Sequence, residues 1–91
     1  MKVSNMTGSN GNKIANQFII IDHDIHGDEI RFFQSYDSVI VKQDQENTYL
    51  DEITWDYSKT TGKYRNIFLG ETKKETEAKI KSGEYTLCNL N

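Results

Sequence analysis

Phe18-Ile19-Ile20-Ile21 is the most apolar run in the chain, four large side chains without a polar interruption. It is short, β-branched and flanked by polar residues, which predicts a strand buried on both faces near the centre of a sheet. Downstream, apolar and polar positions alternate. From about Glu29 to Gln34, Ile30 and Phe32 fall on one side and Arg31 and Phe33 on the other, as a second strand requires. The polar run Asp22-His23-Asp24-Ile25-His26-Gly27-Asp28-Glu29 between them reads as a hairpin loop. Ser38 to Lys42 and Thr48 to Leu50 read as third and fourth strands, separated by turns at Ser35-Tyr36-Asp37 and Gln43 to Asn47. Sequential strands with connections this short are most simply an antiparallel meander.

The period then changes. Trp55 and Tyr57 still alternate with Asp56 and Ser58, the spacing of a half-buried extended segment. Tyr64, Ile67 and Phe68, however, lie at helical spacing, with Lys63 and Arg65 off the stripe. Ser58, Thr60 and Thr61 are each competent N-caps and Gly70 a natural left-handed C-cap, which predicts a short helix from about Thr61 to Leu69. Thr72-Lys73-Lys74-Glu75 matches the capping box, opening a second helix that Gly83 closes after about Ser82. Ala78 and Ile80 are its only clearly apolar residues, so it is expected on the surface. Glu84 to Leu90 alternates again and predicts a last strand. The fold expected is therefore α+β: an antiparallel sheet of four to five strands with two short helices in the C-terminal half. Residues 1–16 are dominated by Ser, Asn, Gly and Thr and are expected to form a flexible arm, with 17–91 as the single domain.

Composition narrows the function. At 91 residues, 35% hydrophobic and 27% charged, the chain has room for one modest core, to which an aromatic content of 11% adds area. Binding a partner or a second copy of itself would add stability. No apolar run is long enough to span a bilayer, and no signal-peptide pattern is present, so membrane association is not expected. The single cysteine, Cys88, excludes an internal disulfide, suits a reducing compartment and reads as a packed thiol. The cytoplasm of a bacterial host cell is the expected location.

Charge is unevenly distributed. Lys59 to Lys81 holds seven cations against three anions, while the remainder holds four against eleven. An acidic surface can steer docking onto a basic one, including a surface that normally holds nucleic acid. Acidic residues around Asp22–Glu29 and Asp44–Asp56 are expected to dock on a basic partner, and the contact residues expected are Asp22, Asp24, Asp28 and Glu29, together with Trp55, Asp56 and Tyr57. A competing reading takes Lys59, Lys63, Arg65, Lys73 and Lys74, interleaved with Trp55, Tyr57 and Tyr64, as a single-stranded nucleic-acid surface, cations on phosphates and aromatics on bases. An acidic pI of about 5.3 weighs against it.

Catalytic signatures are lacking. His23 and His26 among carboxylates would suit a metal only in a tight turn, since on an extended segment they point to opposite faces. Thr61-Gly62-Lys63 lacks the upstream glycine of a phosphate loop and has Tyr64 where Ser or Thr belongs. The expectation is a non-enzymatic protein with no cofactor and no metal.

Three blocks carry a resemblance: N-G-N-K-I-A-N-Q-F (Asn10 to Phe18), F-Q-S-Y-D-S (Phe33 to Ser38) and W-D-Y-S-K-T-T-G-K-Y-R-N-I-F-L (Trp55 to Leu69). Together they resemble a group of small bacteriophage and mobile-element proteins of low-GC Gram-positive bacteria, to which no chemistry is assigned. The resemblance implies a role in binding a host protein or ribonucleoprotein complex. Small acidic phage proteins of this kind include inhibitors of CRISPR nucleases that occupy a nucleic-acid site with an acidic surface.

Overall fold

The structure, a computed structural model, describes residues 1–91. Six strands form one sheet: β1 (Lys2–Thr7), β2 (Lys13–His23), β3 (Glu29–Ser35), β4 (Ser38–Gln43), β5 (Thr48–Asp51) and β6 (Tyr85–Cys88), in spatial order β1-β2-β3-β4-β5-β6. The first five form an antiparallel meander. Between β5 and β6 the chain makes α1 (Lys59–Leu69) and α2 (Lys73–Ser82), and this helical crossover returns β6 parallel to β5. The α+β class is as expected. The sheet has six strands where four to five were expected, and it is mixed because its last pair is parallel.

Two further expectations are corrected. Residues 1–16, read as an arm, instead supply β1 and the start of β2. The apolar run finds its partners there: Val3 lies opposite Ile20 and Ser4 opposite Ile19, while Met6 is buried. Phe18 to Ile21 consequently sits in the second strand from an edge and is half-buried. The segment Trp55 to Tyr57 is not a strand. It belongs to the turns between β5 and α1, because Asp51 closes β5 by drawing the following backbone around its carboxylate.

The helices begin and end where their caps dictate. The Ser58 side chain accepts from the Thr61 amide, and Gly70 closes α1 in the left-handed conformation at φ 70°. Thr72 and Glu75 form the full capping box on α2, and Gly83 closes that helix. The buried hydrophobics are Met6, Phe33, Ile40, Val41, Leu50, Phe68 and Tyr85. Phe68 of α1 stacks on Phe33 of β3 at 5.9 Å, and Ile80 of α2 packs against the same cluster, so both helices cover one face of the sheet. A bulge opposite Phe33 and Gln34 lets the neighbours Ile40 and Val41 both enter this core.

Candidate functional site

Antiparallel pairing sorts the loops to the two ends of the sheet. His23, Glu29, Gln43 and Thr48 mark one end, and Gln17, Ser35 and Asp51 the other.

The first end is acidic. The β2–β3 turn is shaped by Asp24, whose Oδ1 accepts the amides of His26 at 2.8 Å and Asp28 at 3.0 Å. Gly27 completes that turn at φ 82°, a conformation costly for any side-chain-bearing residue. The β4–β5 turn repeats the device: Asp44 Oδ1 accepts the amides of Glu46 at 2.8 Å and Asn47 at 2.7 Å. The amides of Asn47 and Glu46 hold the Asp44 carboxyl below its ordinary range. Gln45 Nε2 donates to the Glu29 carbonyl at 3.0 Å and ties the two turns together. The result is a cleft of about 280 Å³ lined by Asp24, His26, Asp28, Asp44, Gln45 and Glu46, without a cation among them. None of its four carboxylates is in an ion pair. At the tip stands Ile25, 96% exposed. No group of three His, Cys, Asp or Glu side chains is gathered as a metal site, and His23 lies on β2, outside the turn that carries His26.

The second end is organised by Arg65. Its side chain is only 1% exposed and lies over the Trp55 ring at 5.1 Å. Nη1 donates to the Trp55 carbonyl at 2.7 Å and to Asp56 at 3.1 Å, and Nη2 to Asn66 Oδ1 at 2.9 Å. Lys73 reaches the other Asp56 oxygen at 2.6 Å. Burial opposes ionisation of Asp56, but the hydrogen bonds from Lys73 and Arg65 outweigh it and lower its pKa. Around this network lies an open cleft of about 410 Å³, whose lining includes Lys59, Lys63, Asn66 and Ser58.

Two other buried carboxylates tie the crossover to the sheet. Glu71, between the helices, accepts from Thr76 at 2.5 Å, Tyr85 at 2.7 Å and Lys79 at 2.8 Å. Burial penalises its charge, yet donors on three sides hold it below the usual range. The same contact, with burial first, raises the Tyr85 phenol to about 12. Asp51, 2% exposed, accepts from Thr54 and from the Leu90 amide at 2.9 Å. Desolvation works against its charge, but these hydrogen bonds bring its pKa down to about 2.

The expected partner-binding residues therefore separate. Asp24, Asp28 and Glu29 come together, joined by Asp44 and Glu46 from the second acidic stretch. Asp22 stands apart on β2, half-buried. Trp55 and Asp56 lie at the opposite end and serve the Arg65 network, leaving Tyr57 exposed beside it. Of the cations, Lys59, Lys63, Arg65 and Lys73 share the cleft around Arg65, whereas Lys74 is exposed on α2 outside it. Arg65 departs most from expectation: hydropathy puts it on a solvated face, and the structure buries it.

Residues 1–84 match DUF8033, a family of unknown function. The chain belongs to that family. No curated protein and no solved structure is similar to it at a significant level. No helix is long and apolar enough to cross a membrane.

Proposed function

We propose that this DUF8033 protein is a non-enzymatic binding protein, of phage type and acting in the host cytoplasm, whose acidic end docks on a basic surface of a host macromolecular complex. The observation that carries this is the convergence of two independent turns into one cluster of unpaired carboxylates, with exposed Ile25 at the tip of the first turn. An exposed apolar side chain next to charged ones can anchor a protein interface. A CRISPR nuclease is the partner class the reading favours, because its nucleic-acid channel presents the complementary charge. In that role the protein inhibits by occupying the channel.

The test is capture from a phage-infected host lysate with the wild-type protein and with Asp28→Lys/Glu29→Lys/Glu46→Lys, which spares the Asp24 and Asp44 turn hydrogen bonds. The variant is expected to keep its circular dichroism and lose the co-purifying complex; equal capture removes the acidic end from the interface. Target cleavage by purified CRISPR nucleases then separates inhibitor from mere ligand, since an unchanged rate with saturating protein rules out inhibition.

The shared cleft of Lys59 and Lys63 favours a second reading, a single-stranded nucleic-acid contact with exposed Tyr57 as stacking surface. Arg65 and Lys73 are already engaged with Asp56, which leaves few cations for phosphates. Oligonucleotide anisotropy at low salt tests it: affinity falling steeply with added salt supports the contact, and no binding eliminates it.

A further inference from the structure

Alternation along the strands also builds a surface that the helices do not touch. Phe33, Val41 and Leu50 point to the helices, so their sequence neighbours Phe32, Lys42 and Tyr49 point the other way. Across the sheet, Val3, Ile20, Phe32, Lys42 and Tyr49 are successive partners, one from each of β1 to β5. Phe18 and Ile30 extend this row to either side on the same face. Val3 is 54% exposed and the others are half-buried, and none belongs to the core cluster.

We propose that this face is a homodimer interface, with two copies of the chain packed sheet against sheet in the manner of a β-sandwich. The dimensions allow it: the molecule measures 36 × 34 × 21 Å, thin across the sheet and broad along it. A face of that breadth can supply the roughly 800 Å² per partner that a stable interface buries. Charge selects the occupant. On β1 to β5 the face carries two anions, Asp22 and the buried Asp51, and two cations, Lys13 and Lys42, the latter over the Tyr49 ring at 5.7 Å. A two-fold axis sets a patch against itself, which a surface without net charge tolerates and a strongly charged one does not. With two cations balanced by two anions, the face suits neither nucleic acid nor an anionic membrane. The acidic turns lie at the strand ends and stay exposed in such a dimer, so this inference stands independently of the proposed function.

Sedimentation equilibrium over a wide range of protein concentration tests it on the purified full chain. The wild type is expected at twice the mass of the chain, and Ile20→Lys/Phe32→Lys at the single mass with unchanged circular dichroism. Val3→Glu, at the most exposed position of the row, serves if the double variant does not fold, and should weaken dimerisation at least tenfold. A wild type that stays monomeric at every concentration overturns the proposal. So does a dimer indifferent to these substitutions, or a monomer that binds phosphatidylcholine vesicles through this face.

Discussion

The two ends of the sheet use the same residue types to opposite effect. At the Arg65 end, charges are buried and each is met by several partners: guanidinium on Trp55, Asp56 and Asn66, and Asp51 on Thr54 and the Leu90 amide. At the acidic end, Asp24 and Asp44 spend their oxygens on shaping their own turns, and the net charge is left facing water. A charge that is desolvated and networked fixes the fold, and its loss leaves the partners stranded. A charge held on an exposed turn contributes little to stability and is free for recognition.

The largest effect that sharpens this contrast is expected from Arg65→Met. Removing the guanidinium takes the donor from the Trp55 carbonyl and Asn66 and leaves Asp56 with Lys73 alone, and should cost about 3–5 kcal/mol in urea unfolding. A loss below about 1 kcal/mol would mean that the buried arginine behaves like a surface one. Asp51→Asn comes next. With a folded pKa of about 2 against an ordinary 3.8, the Asp51 carboxylate contributes stability that is complete above about pH 4 and lost as pH falls towards 2. The variant should lose on the order of 2 kcal/mol at neutral pH and show a flatter acid limb; an unchanged acid profile would contradict the assigned role. Gln17 offers a change of opposite sign at the same end. Its amide is 1% exposed with neither Nε2 nor Oε1 hydrogen-bonded, so Gln17→Met should stabilise by about 1 kcal/mol, read as a raised Tm. The smallest effect belongs to the acidic end: Asp28→Lys/Glu29→Lys/Glu46→Lys, which leaves the Asp24 and Asp44 turn hydrogen bonds in place, should leave unfolding within about 0.5 kcal/mol of wild type. A large destabilisation there would erase the distinction between the ends.

What the sequence made legible follows the range of the forces involved. Ser58, Gly70, Thr72 and Gly83 act on their own helix termini, and each helix begins and ends at such a residue. Alternation in Glu29 to Gln34 likewise located β3 nearly to the residue. Lys2 to Thr7 was not legible, since a polar segment becomes a strand only because Ile19 to Ile21 lie alongside it. The parallel pairing of β6 was missed because it depends on the path of two helices, which no local pattern encodes. Arg65 was misplaced because hydropathy scores the isolated side chain, and what lets it enter the interior is a set of acceptors from Trp55, Asp56 and Asn66. At the acidic end, the β2–β3 cluster was legible as a charged loop. Its union with Asp44 and Glu46 came from the hairpin geometry that returns both turns to one side.

The parallel strand has a consequence in time. The meander can grow hairpin by hairpin, each step closing a short loop, whereas Tyr85 meets Thr48 only after the whole of 49–84 has folded back across the sheet. Until then β5 is a raw border whose amides and carbonyls invite any passing strand. Assembly thus finishes at β6, and the speed with which the helical crossover condenses sets how long a nascent chain stays open to wrong company.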